Sequence, residues 1–188
     1  MSQKNLGDHG KALEDSFFAK ESEKLRQKLQ EQEGMTAKKE ALSQASGIKD
    51  DAVIEQLMAL DIGTDTLAAL ALVPLVEVAW ADGSVDDKER GAILDAAEAA
   101  GISKGSASGQ LLDGWLAHKP GDDVLASWRE YVSALCAEMG VEEKDSLKRD
   151  LLGRARAVAE ATGGFLGLGD KVSNTEQAVL DELGRAFS

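Results

Sequence analysis

An almost uninterrupted apolar run, Leu67 to Val76, continues through Glu77 into Val78-Ala79-Trp80-Ala81 and then meets Asp82-Gly83-Ser84-Val85-Asp86-Asp87-Lys88-Glu89. Residues apolar at nearly every position over four turns predict a helix buried on all sides. Asp82-Gly83 is a turn signal, because glycine supplies backbone freedom and aspartate bonds its own backbone in turns. Asp86-x-x-Glu89 then matches a capping box at the start of a second helix. The expected unit is a central helix, a tight acidic turn and a helix from about Asp86 to Ala100. Pro74 lies inside the central run and is expected to kink it.

The rest of the chain also favours helix. Only Pro74 and Pro120 interrupt 188 residues, and strand-forming β-branched or aromatic runs are few. The expected fold class is all-α. Residues 1–46 read as a charged helical extension and residues 47–188 as the main domain. From Lys11 to Glu33, Ala12, Leu13, Phe17, Phe18, Leu25 and Leu29 form a narrow apolar stripe with charged flanks. Gly34 is expected to break this helix, a short one to follow over about Thr36 to Ala45, and Gly47 to stop that one. Asp50 or Asp51 can cap the helix carrying Val53, Ile54 and Leu57, and Thr64 or Asp65 the central one. Ser103 to Gly109 reads as a loop before a short helix over Gln110 to Ala117. Asp122 or Asp123 can cap the helix of Trp128, and further helices are expected over about Glu142 to Thr162 and Ser173 to Phe187.

The formal net charge is −13, and it is placed unevenly. Residues 1–50 hold nine basic and nine acidic side chains; residues 51–188 hold 12 and 25. An acidic domain repels phosphate backbones, which argues against nucleic acid as a partner. The charge serves a solvated surface, a cation or a basic protein partner. Cys136, the single cysteine, permits no internal disulfide, which fits a reducing compartment. With only His9 and His118 as candidate bases, it reads as a buried structural residue. The N-terminal residues lack a signal peptide's apolar core, and the longest apolar run is too short to span a bilayer. No paired histidines, phosphate loop or nucleophile–base arrangement stands out, so the expectation is a protein that is not an enzyme.

Two readings of the acidic turn stay open. In one, Gly83, Asp86 and Glu89 serve only the turn and the helix start. In the other, Asp82, Asp86 and Glu89 are metal ligands, with a weakly bound divalent cation such as calcium as the only cofactor expected. Aligned on a calcium loop, Asp82 takes position five, Gly83 six, Val85 eight and Glu89 twelve, but Val78 and Trp80 fall where ligands one and three belong. A weak internal echo accompanies the turn. Val172-Ser173-Asn174-Thr175-Glu176, followed by Val179 and Leu180, repeats Val85-Asp86-Asp87-Lys88-Glu89 followed by Ile93 and Leu94. The pattern fits either a duplication or two ordinary helix starts.

Leu72 to Arg90, an alanine-rich helix running into Asp-Gly-x-Val-x-x-x-Glu, resembles the tellurite-resistance TerB-like family over roughly residues 65–188. That resemblance implies a compact TerB-like multi-helix bundle in a bacterial cytoplasm. It further implies a non-enzymatic stress-response role linked to tellurite or the envelope, acting through protein partners and in peripheral association with membrane complexes. It makes Asp82, Asp86 and Glu89 the candidate metal-binding residues. The second copy departs from the pattern: Gly169 stands where Asp82 stands in the first, beside Asp170, within a glycine-rich stretch. Lys11-Ala12-Leu13-Glu14-Asp15-Ser16-Phe17-Phe18-Ala19-Lys20 also resembles the start of the zeta-type inhibitor of the bacterial rotary ATP synthase. On that reading Leu13, Phe17 and Phe18 are partner-binding anchors in a helix-in-groove contact.

Overall fold

The computed structural model describes the backbone of residues 4–162 and 172–187, and the side chains of residue 20 and of residues 23–161 and 172–187. Among the described residues there are eight α-helices, one 3-10 segment and no strand. Two compact units comprise residues 1–41 and 42–188. None of the described helices is long and apolar enough to cross a membrane.

The described part of the first unit is a single helix. α1 (Lys4–Ser46) runs through Gly34 without a break and ends in the second unit at Gly47, whose φ of +74° suits glycine. The expected break at Gly34 does not occur. A helical glycine costs only about 1 kcal/mol against alanine, and the flanking Glu, Gln, Lys and Ala favour helix. The ion pair between Arg26 and Glu23, at 2.6 Å, is exposed, and so are Leu25, Leu29 and Met35.

In the second unit the chain continues through α2 (Asp51–Ala59), the 3-10 segment Leu67–Leu72, α3 (Val73–Ala79), α4 (Asp87–Ala99), α5 (Ala107–Ala117), α6 (Asp122–Ala137), α7 (Val141–Thr162) and α8 (Asn174–Arg185). Asp50 caps α2 by accepting from the amides of Ala52 and Val53. The central run divides instead of kinking. It is 3-10 up to Leu72, and Pro74 stands in the first turn of α3. There its missing N–H would have had no helical partner, so proline starts the α-helix cheaply.

All seven residues of α3 are buried, Glu77 included. α3 packs against α4, α6, α7 and α8, while α4 also packs on α7, and α7 on α8. The helix pairs α3 with α4 and α7 with α8 thus share one core. Leu75, Val76 and Val78 of α3 and Ala155, Val158 and Ala159 of α7 all belong to it. Trp128 and Phe187 make an edge-to-face contact at 6.2 Å that holds the chain's last described turn to α6.

α5 begins earlier than the sequence suggests, because Ser106 accepts from the amide of Gly109 and turns half of the glycine–serine stretch into helix. α6 starts after Gly121, with Asp122 and Asp123 in its first turn and neither at the cap. Gly109 packs so closely that a Cβ would collide with the carbonyl oxygen of Ser103, whereas a Cβ on exposed Gly114 meets nothing within 4 Å. Gly114→Ala should therefore stabilise by about 0.5–1 kcal/mol. Gly109→Ala should destabilise by about 1–3 kcal/mol. Urea unfolding of the two variants checks this opposition within one helix.

Candidate functional site

The acidic turn is built from local hydrogen bonds. Gly83 adopts φ +95°, and its amide donates to the carbonyl of Trp80 at 3.0 Å. Asp82 Oδ1 accepts from the amide and hydroxyl of Ser84, at 3.0 and 3.3 Å. This is an Asx turn closing the link from α3. Asp86 Oδ1 accepts from the amides of Lys88 and Glu89 at 2.8 and 2.9 Å, and Glu89 Oε2 accepts from the amide of Asp86 at 2.9 Å. Both halves of the capping box are therefore formed.

Two long bonds tie this turn to α5. Trp80 Nε1 donates to the carbonyl of Trp115 at 2.9 Å, and Arg90 Nη2 donates to that of Leu116 at 2.8 Å. They satisfy two of the final carbonyls that every helix leaves unpaired.

The second copy has the same local design. Ser173 Oγ accepts from the amide of Glu176 at 3.2 Å, and Glu176 Oε2 accepts from the amide of Ser173 at 2.6 Å, a complete capping box opening α8. Residues 163–171, including Gly169 and Asp170, lie outside the described residues. Glu89 and Glu176 are both buried, at 5% and 8% exposure, whereas Asp82, Asp86 and Ser173 are exposed.

The charge of Glu176 also reaches Glu89. Burial pushes the Glu89 carboxyl up to about 7, and the charges of Asp86, Asp82 and Glu176 add to the rise, while the hydrogen bond from the Asp86 amide opposes it. The fold therefore gathers Asp82, Asp86 and Glu89 with a fourth carboxylate, Glu176, around the starts of α4 and α8. Among the described residues, no group of three or more His, Cys, Asp or Glu side chains is arranged to hold a metal ion. Leu13, Phe17 and Phe18 lie in the part of α1 whose side chains are outside the described residues.

Sequence reasoning left out Glu176 as a site residue, although the echo contained its signal, namely glutamate three after a small capping residue. It also left out the burial of Glu77 against the charged groups of α6 and α8, which no local pattern encodes. Cys136 is buried, and burial pushes its thiol up, away from the reactive thiolate. A hollow of about 400 Å³ between α4 and α5 is lined by Leu94, Ala97, Ile102 and Leu112, with Glu98, Lys104 and Asp113 among its polar residues. It includes none of the turn carboxylates. No family model, curated protein or solved structure matches this chain.

The raised Glu89 carboxyl fixes a sign for pH dependence. Between its ordinary value of 4.5 and about 7, the folded chain binds more proton than the unfolded one at this position. Glu89 therefore makes stability fall as pH rises through that window, by about 3 kcal/mol at most. Glu89→Gln keeps an acceptor for the Asp86 amide but no charge. The variant should gain on the wild type progressively between pH 4.5 and 7 and hold the gain at pH 8, as read by thermal or urea unfolding at each pH.

Proposed function

We propose that this chain is a non-enzymatic interaction protein of TerB-like type, acting in a bacterial stress response. The observation that carries the reading is the pair of matching helix starts. Asp86-x-x-Glu89 and Ser173-x-x-Glu176 each form a complete capping box, each follows a valine, and their buried glutamates lie within reach of one another's charge. Two helix pairs related in this way fit the internal repetition that a TerB-like pattern implies.

The binding element on this reading is α1, together with the acidic surface of the second unit. α1 carries exposed Leu25, Leu29 and Met35 among alternating charges, and such residues become anchors when a groove covers them. A photo-crosslinking residue at position 29 of the full chain, in its bacterial host, should give a discrete protein adduct. Leu25→Ser should reduce that adduct at least fivefold while leaving the folded domain unchanged. A host that yields no adduct would contradict the interaction reading.

One observation favours a second reading, a divalent-cation sensor at the turn. The charges of Asp86, Asp82 and Glu176 all act on the buried Glu89 carboxyl, an unfavourable environment that a cation would relieve. Asp82 lies outside both capping boxes, so its removal leaves both helix starts intact. On the cation reading, calcium titrated into the full chain by calorimetry gives saturable heat that Asp82→Ala and Glu176→Gln each abolish. An absence of heat in the wild type leaves Asp86, Glu89 and Glu176 as helix-start residues and Asp82 as a turn residue.

A further inference from the structure

The described part of α1 keeps three large apolar side chains exposed, Leu25 at 60%, Leu29 at 50% and Met35 at 56%. Leu25 and Leu29 stand four residues apart, the step from a d to an a position of a heptad. That register makes Leu25 and Gln32 d, Leu29 and Thr36 a, Arg26 and Glu33 e, and Lys28 and Met35 g. Phe18 precedes Leu25 by one heptad in the sequence. Gly34 falls at f, on the side away from the seam, where a missing side chain loses no contact. The Thr36 hydroxyl donates to the carbonyl of Gln32 at 3.0 Å, so Thr36 enters the seam with its donor already satisfied.

Charge decides what covers this face. Residues 1–50 hold nine basic and nine acidic side chains, so two copies of α1 meet without net repulsion, unlike two copies of the acidic remainder. Three alignments of two such helices differ at their flanks. If they run antiparallel with the leucines stacked, Arg26 faces Arg26 of the partner subunit, and Lys28 faces Lys28 of the partner subunit. If they run antiparallel with Arg26 facing the partner's Glu33, the leucines fall on Gln32 and Thr36 instead of on each other. If they run parallel and in register, Leu25, Leu29 and Gln32 each meet their own copy, and a glutamine amide both donates and accepts. Lys28 at g then faces the partner's Glu33 at the following e, the usual site of interhelical ion pairs. Of the three, the parallel alignment alone stacks leucine on leucine and opposes charges. The exposed ion pair within α1 uses Arg26 and Glu23, not Lys28 or Glu33.

We propose that a second copy of this chain covers the face, in a parallel two-stranded coiled coil of α1. Leu25, Leu29, Gln32 and Thr36 form its seam, and Lys28 pairs with the partner's Glu33 on both flanks. The inference names the partner of the element that the proposed function uses for binding, and it rests on that reading.

Sedimentation equilibrium of the full chain in about 0.15 M salt tests it. The wild type should dimerise. Leu25→Ser should weaken the association about tenfold. Lys28→Glu and Glu33→Lys should each weaken it about threefold, and the double variant should recover the wild-type constant. Positions five apart do not face each other on one helix, so that recovery reports pairing between chains, and neither antiparallel alignment supplies it. Leu25, Lys28 and Glu33 are all exposed, so replacing them leaves the core of the second unit intact. A wild type that stays monomeric at roughly 100 µM overturns the dimer. So does an association that Leu25→Ser leaves unmoved, and a double variant no tighter than its single ones overturns the parallel alignment. The host crosslink at position 29 keeps the two failures apart. A monomeric purified chain that is crosslinked to a different protein in the host sinks the dimer and retains the interaction reading, whereas a host without any adduct contradicts both.

Discussion

Complete burial of α3 is the constraint on which the second unit depends. A seven-residue helix with every side chain covered needs neighbours on all sides, and α4, α6, α7 and α8 supply them. The hydrophobic gain from such a helix is non-directional, so it does not choose the angle or register of those neighbours. The directional work falls to a few polar side chains at its edges. Trp80 and Arg90 bind the end of α5, Asp86 and Glu89 start α4, and Arg129 joins α6 to α8. The acidic turn is thus placed by apolar burial on one side and by hydrogen bonds on the other.

The same burial explains the electrostatics of the turn. A capping box on an exposed helix start leaves its glutamate solvated, and the charge then complements the helix dipole at little cost. Here Glu89 and Glu176 are both buried, so desolvation raises the Glu89 carboxyl, and the charge of Glu176 adds its repulsion. Removing either charge relieves that repulsion, and so does a proton or a cation. A feature that reads as simple capping in one dimension becomes a charge-sensitive contact in three.

The sequence was informative where the chemistry is local. The capping boxes at Asp86 and Ser173, the cap at Asp50, the positive φ of Gly47 and Gly83, and the all-apolar central run follow from residues a few positions apart. It misled where one residue admits two outcomes. Gly34 can break a helix or be carried by its neighbours, and Pro74 can kink a helix or begin one. Ser106 reads as loop or cap according to whether the chain after it turns helical. What lay beyond local reading is the tertiary pairing. Glu176 appeared only as an echo, and the pairing of Arg129 with Glu182 joins residues 53 apart along the chain. The contact is fixed by helix packing, which the one-dimensional pattern constrains but does not specify.

Carbon-13 NMR titration of the Glu89 side-chain carboxyl in the full chain tests the central claim most directly, because it reads burial and carboxylate apposition at a single atom. The account predicts a midpoint near 7 in the wild type, and a lower one in Glu176→Gln, where the facing charge is gone. A wild-type midpoint near the ordinary 4.5, or one that Glu176→Gln leaves in place, would contradict it.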